Sequence, residues 1–363
     1  MNKLLLISLL AGSFYNFDNT VLRIIALGCW IFSSSFLFFF YFPKMIINRN
    51  NSEILFVLLS YFLLLLCWLV NSDSLEIELS GVSVEMLTPL LYVFHLLNLL
   101  VVLYLVENKK LSVSIIQNFF VLAILIIFID MVVRYIEAPS LFLNYNERFQ
   151  AKNTGFFSNT NVVGQTIAFL IVILNIINIK FKRFMQLILL ILLLSTMARS
   201  AFISVILVYF FSLLWEKGKL YKILAMFILF SFIILFSQTN LINDGSFLSK
   251  ISFLESTYNL ILEGKISEII FGYGASFDVI TNKLNVNGYS PHISILKAFL
   301  YYGFIGTVFF ILILYRMYSV DNKFFYPIIT FVIFSFAGAP IYWPTLTTGL
   351  ILIIISNSLE KKI

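Results

Sequence analysis

Long apolar runs separated by short polar hinges make up most of the chain. A membrane-spanning helix needs roughly 20 apolar residues, and somewhat fewer at the short end. On that criterion the runs are 4–15 (short), 21–42, 54–70, 86–106, 111–136, 162–179, 184–197 (short), 198–215, 220–237, 292–318, 324–337 and 341–356. The pattern predicts an all-α fold, a polytopic transmembrane helical bundle of about twelve spans. It leaves residues 1–363 as a single integral membrane domain with no soluble domain and no internal repeat. The first run has the look of a signal-peptide core, with Lys3 before it and Ala11, Gly12 and Ser13 after it, and is expected to remain as an uncleaved helix. At Met197 and Ala198 two short runs abut without turn residues, so the junction is either a tight hairpin or a broken helix.

The hinges alternate in charge. Lys3, Lys44 with Arg49, Lys109 with Lys110, Lys180 with Lys182 and Arg183, Lys217 with Lys219 and Lys222, Arg316 with Lys323, and Lys361 with Lys362 fall in every second connection. By the positive-inside rule these connections, and with them both termini, are expected on the cytoplasmic side. The opposite connections carry Asp18, Asp73, Glu76, Glu78, Glu137 and Glu147, and two of them are long. One runs over 137–161; the other, 238–291, separates the ninth and tenth spans. Within the second, Ile251, Leu254, Tyr258 and Ile261 or Leu262 recur at helical spacing, which predicts a short amphipathic helix on the membrane surface, placed to cover a cleft.

Composition agrees with that picture and removes alternatives. The 363 residues are 61% hydrophobic and 12% charged, about half the charge fraction of a soluble domain. The net charge of +6 is spread over the hinges rather than gathered into a stripe for nucleic acid. Cys29 and Cys67 both lie inside apolar runs, so neither a disulfide framework nor a thiolate metal site is indicated, and two histidines exclude a histidine-rich metal centre.

Charge at or inside a span costs about 2.5–3.5 kcal/mol at mid-depth, so the charges that do occur there need a reason. Arg23 lies just inside the second span, Asp130 and Arg134 form an i, i+4 pair in the fifth, Arg199 heads the eighth and His292 the tenth. Guanidinium groups suit a phosphate oxyanion because the planar fork binds it bidentately and stays charged. A cluster of arginines in a half-dry mouth therefore reads as a diphosphate site. The plainer readings are a local salt bridge for Arg134, snorkelling for Arg23, and solvated loop charges for Arg148 and Lys152. Arg199 has no carboxylate near it in sequence, and His292 follows Pro291 at a helix start, where a neutral imidazole can accept a proton. His95 with Asn98, one turn apart, forms a competing site, more simply read as a buried histidine bonded to a neighbouring helix. Gly272 and Gly274 lack the strand and lysine of a nucleotide motif and instead allow a tight turn.

Three segments resemble the O-antigen polymerase and O-antigen ligase superfamily of bacterial inner-membrane glycosyltransferases, with the Wzy-type polymerases nearest. Arg148 through Gly155, Phe156, Ser158, Asn159 and Asn161 is similar to the family's run ahead of a membrane helix. Ala198, Arg199, Ser200 and Ala201 resemble its arginine-serine step. Phe271 to Gly274, followed by Pro291, His292, Leu296, Leu300, Gly303 and Gly306, resembles its glycine turn, histidine and glycine-containing helix. The similarity covers about residues 145–320, while the first five spans match in hydropathy alone. Ile293 follows His292 where many members carry asparagine, and the 238–291 connection holds Lys250, Lys265 and Lys283 but no arginine.

The resemblance implies a fold like the lipid-linked, type C glycosyltransferases, acting without nucleotide sugar, cofactor or metal. The donor it implies is an oligosaccharide on undecaprenyl diphosphate, taken from the membrane lipid at the periplasmic face of the inner membrane, with a chain-length regulator as a further partner. Arg199 and Arg148 would hold the diphosphate, helped by Lys152, Arg23 and Arg134; His292 would orient or deprotonate the acceptor hydroxyl; Tyr273 and Tyr289 would stack on sugar rings. The alternatives are a ligase that transfers the glycan to lipid A core and a lipid-linked glycan flippase, which should show broken helices or repeated halves with charge near mid-membrane.

Overall fold

The computed structural model describes residues 2–15, 20–48, 84–108, 110–139, 155–157, 160–196, 198–216, 245–273, 294–335 and 344–360. Every regular element among the described residues is helical. In order these are α1 (Asn2–Ser13), α2 (Thr20–Asn48), α3 (Val84–Glu107), α4 (Ser114–Glu137), α5 (Thr160–Ile176), α6 (Lys182–Thr196), α7 (Arg199–Glu216), α8 (Gly245–Glu263), α9 (Ile266–Phe271), α10 (Ser294–Val320), a 3-10 turn at Asn322–Phe324, α11 (Phe325–Ser335) and α12 (Pro344–Glu360). In hydrocarbon a helix satisfies every backbone polar group within its own segment, which is why apolar runs of this length fold so. Helices coincide with the expected spans wherever the chain is described; spans 54–70 and 220–237 lie outside the described residues. Among the described residues, three stretches, Thr20–Met45, Ser114–Glu137 and Ala298–Ser319, are long and apolar enough to cross a membrane.

The helices run back and forth, and hydrogen bonds between them fix which ends meet. Ser8 bonds Ser34, and the Tyr15 ring meets Trp30, so α1 and α2 are antiparallel. Asn98 Nδ2 donates to Ser8 and His95 Nε2 meets Thr348 Oγ1, while Ser13 donates to Thr348, which brings α3 and α12 alongside α1. Asn2 donates to Ser112 at the other end, and Asn357 donates to Asp321 there as well. One end of the bundle therefore carries the C-termini of α1, α4 and α6 and the N-termini of α2, α5, α7 and α12. We call it the site end.

Helix α5 is the axis: its residues 163–174 are buried all round, and it packs against α6, α7, α11 and α12. Gly349 on α12 lets Phe169 and Ile173 approach closely, since a Cβ there would lie 2.7 Å from the Phe169 ring. Small residues at helix contacts do this throughout membrane interiors. The outer helices instead expose apolar faces, such as Phe32, Phe36 and Phe39 on α2, Leu125, Phe128 and Val132 on α4, and Phe304, Ile311 and Tyr315 on α10. Faces of this size are unusual on a soluble protein and suit contact with lipid.

The structure adds detail at three places. The junction at 197–198 is a hairpin: Gln186 Nε2 donates to the Tyr209 hydroxyl at 3.4 Å, and these residues stand equally far either side of it, so α6 and α7 are antiparallel. Thr196 Oγ1 accepts from Ala198 N at 3.3 Å and closes the turn. The tenth run is not one helix but two, broken at Gly303, whose φ is 65° and ψ −165°. The expected amphipathic helix is α8, 19 residues long; it buries Phe253 and Thr257 and leaves the stripe of Leu254, Tyr258 and Leu262 exposed. The exposed side of α8 carries Glu255, Asn259 and Glu263 next to that stripe, while Phe253 faces the protein.

Candidate functional site

The best-defined geometry at the site end is a clamp on residues 155–157. Asp130 and Arg134 on α4 are both fully buried, and Arg134 Nε donates to Asp130 Oδ2 at 2.7 Å. The other carboxylate oxygen, Oδ1, accepts from Phe156 N at 2.7 Å and Phe157 N at 3.1 Å, while Arg134 Nη2 donates to the Phe157 carbonyl. Glu137, one turn further along, accepts from Gly155 N at 2.8 Å. Gly155 is required twice over: its φ is +84°, and a Cβ would lie 2.5 Å from Arg134 Cγ. Phe157 then packs on Phe14, just past the end of α1, with ring centroids 5.9 Å apart. Below it lies a void of about 20 Å³ beside Ser13, Phe157, Val163 and Thr166, room for about one water molecule.

Two of the sequence segments stand at this end. The clamped residues lead into α5, and four residues into that helix Gly164 meets the head of α7: a Cβ on Gly164 would lie 2.4 Å from Ala198 Cβ and 3.4 Å from Ala201 Cβ. Ala198 and Ala201 flank Arg199, so the backbone of Arg199 starts α7 beside the first turns of α5. Arg23 stands half-buried in the first turn of α2 at the same end. Arg134 is there too, but its guanidinium is committed to Asp130 and the Phe157 carbonyl, so it positions the segment rather than facing outward.

The third segment is built by two glycines. Gly272, with φ +86°, ends α9, and Gly303 breaks α10; a Cβ on Gly303 would lie 2.3 Å from the Ile270 carbonyl oxygen and 2.4 Å from Gly272 N. Backbone thus lies directly on backbone, and Tyr273 N donates to the Leu300 carbonyl at 2.7 Å, taking up an acceptor near the break. The Tyr273 hydroxyl donates to Leu260 O on α8 at 3.0 Å, and Gly264 leaves it space. Burial, and then the Glu268 carboxylate, push the Tyr273 phenol above its ordinary range, so it stays a donor at neutral pH. Tyr273 was expected to stack on sugar; its ring is 4% exposed and both of its polar groups are used, which makes it a latch between α8 and α10 instead. His292, Arg148, Lys152 and Tyr289 lie outside the described residues.

His95 follows its plainer reading. It is fully buried, its Nε2 lies 3.0 Å from Thr348 Oγ1, and its ring meets Trp30 edge-on at 4.7 Å. Gly12 makes room for it, since a Cβ there would lie 1.9 Å from the imidazole. Asn98 sits between Ser8 and Ser34, donating at 2.6 and 3.1 Å. Together they tie four helices. Sequence reading paired Asp130 with Arg134 and missed that both hold Phe156 and Phe157, with Glu137 on Gly155; the sign was Gly155 standing shortly before a helix, with its backbone donor unassigned.

No family model, no curated protein and no solved structure matches this chain.

Proposed function

We propose that this membrane protein is a lipid-linked glycosyltransferase that polymerises undecaprenyl-diphosphate-linked repeat units of O-antigen or a related surface polysaccharide. The observation that carries the proposal is that Gly155–Phe157, clamped to α4, and the Ala198–Ala201 step, packed on Gly164 of α5, stand at the same end of the bundle. Two of the three segments on which the resemblance rests, well apart in sequence, thereby share one end of the bundle. The third is held by a glycine-on-glycine contact of a kind that tolerates no side chain.

In this reading the bundle has about twelve spans, the site end faces the periplasm, and both termini are cytoplasmic. Arg199 and Arg148 hold the donor diphosphate, with Lys152 and Arg23 adding positive charge. Fixed cations in a water-poor mouth stabilise the negative charge that develops as the diphosphate leaves, and cost little reorganisation at that moment. His292 accepts the proton of the attacking acceptor hydroxyl, so the glycosidic bond forms as the bond to diphosphate breaks. The Asp130–Arg134 clamp holds Phe156 and Phe157, a few residues further along the chain than Arg148 and Lys152.

One observation favours transport: α10 is broken at Gly303, as transporter helices often are. The break, however, receives the backbone of residues 270–272 and the amide of Tyr273, which leaves its nearby acceptor engaged. Gene deletion separates the readings. A polymerase mutant leaves lipopolysaccharide capped with a single repeat, a ligase mutant leaves bare core with accumulated lipid-linked polymer, and a flippase mutant leaves repeats on the cytoplasmic face. Either of the last two outcomes overturns the proposal.

A further inference from the structure

At the end of the bundle opposite the clamp, α5, α6 and α7 enclose a lateral groove of about 550 Å³ that no step above uses. Down one face of α6, Arg183, Gln186, Leu187 and Leu190 follow one another at i, i+3, i+4 and i+7, and all four line the groove. Tyr209 and Phe210 of α7 form the facing wall, with the Gln186 amide donating across to the Tyr209 hydroxyl. The order along the groove is therefore cation, then neutral hydrogen-bonding pair, then hydrocarbon. Arg183 is exposed, and among the described residues no carboxylate neutralises it. The first turn of α6 contains no acid. Lys182 and Arg183 instead stand at the end of the helix dipole that already favours anions. Phe181, with φ 59°, and Phe184 are both exposed beside the spot.

We propose that this groove is a binding site for an anionic glycerophospholipid. Its phosphate pairs with Arg183, an ester carbonyl accepts from the Gln186–Tyr209 pair, and an acyl chain lies along Leu187, Leu190 and Phe210. The sequence of chemistries decides between lipids. A glycerophospholipid carries phosphate, ester and hydrocarbon in that order, whereas a polyprenyl phosphate passes from phosphate to hydrocarbon and has nothing for the neutral pair. The site is independent of the transferase reading and would hold equally for a transporter.

The test is native mass spectrometry of the full chain, purified in mild detergent and mixed with equimolar phosphatidylglycerol and phosphatidylcholine of identical acyl chains. Wild-type protein retains phosphatidylglycerol in preference, by about fivefold for one well-placed cation. Arg183→Gln abolishes that preference while leaving helicity unchanged by circular dichroism. Lys323→Gln removes an exposed charge off the groove and keeps it. Leu187→Trp, an exposed position that a larger ring would fill, lowers retention of both lipids. The assignment is overturned if wild type shows no preference, if Arg183→Gln retains it, if Lys323→Gln loses as much, or if added undecaprenyl phosphate displaces phosphatidylglycerol from wild type and Arg183→Gln alike.

Discussion

Replacing Asp130 and Arg134 together, with leucine and methionine, distinguishes a clamp from an ordinary buried ion pair. When a buried pair serves only itself, exchanging both partners for apolar residues of similar volume is neutral or stabilising, whereas removing one partner costs about 3–5 kcal/mol because a bare charge is left behind. Here the pair also holds three backbone groups: the amides of Phe156 and Phe157 on Asp130 Oδ1, and the Phe157 carbonyl on Arg134. Each loses its partner in the double variant, at about 1 kcal/mol or more apiece if it stays out of water. The double variant should therefore remain about 3 kcal/mol less stable than wild type, roughly a hundredfold in the folding equilibrium. Asp130→Leu alone should cost more than the double change, since it strands the fully buried guanidinium. Reversible unfolding in mixed micelles, followed by far-ultraviolet circular dichroism, reads all three. A double variant as stable as wild type would show that residues 155–157 do not depend on the pair.

Gly303→Ala should disrupt the contact between α9 and α10, because the new Cβ would lie 2.3 Å from the Ile270 carbonyl oxygen on a residue with positive φ; a loss of about 2 kcal/mol or more is expected from the φ penalty together with displaced backbone, and melting in detergent within error of wild type would contradict it. Tyr273→Phe removes the bond to Leu260 O and should cost about 1 kcal/mol. Because folding raises the Tyr273 pKa, its phenol contribution is complete below the ordinary value of about 10 and is lost as pH climbs through the folded value; the wild-type minus variant difference should be flat from neutrality upward and shrink only in strong alkali, and a difference that already falls between pH 6 and 8 would refute the latch. Gly349→Leu should push α12 off α5 through Phe169 and Ile173, and unchanged stability there would show that the two helices do not pack as described.

Much of the helical layout was readable in advance, because a spanning segment must be both long and apolar and few other folds require that. The turnabouts were readable for a related reason: charged hinges between apolar runs mark where the chain can meet water. What the sequence could not show is which apolar side faces protein. On α8 the stripe of Leu254, Tyr258 and Leu262 is exposed while Phe253, outside that stripe, is the residue buried against the protein; since lipid and core are both apolar, periodicity carries no sign. The break at Gly303 was hidden because its cause, the backbone of Ile270 and Gly272, comes from about thirty residues upstream. The Asp130–Arg134 pair was visible as a local spacing, but its real partner is the segment that precedes α5. Tyr273 looked like a sugar platform in a loop; only the position of Leu260 reveals it as an internal latch.

Reconstitution tests the transferase claim most directly. The purified chain, placed in vesicles with an undecaprenyl-diphosphate-linked repeat unit and no other protein, should build a ladder of longer lipid-linked oligosaccharides. Arg199→Ala and His292→Ala, each checked for normal insertion and helicity, should leave only the single repeat. A wild-type preparation that never lengthens the repeat, or variants that lengthen it as wild type does, would contradict the account.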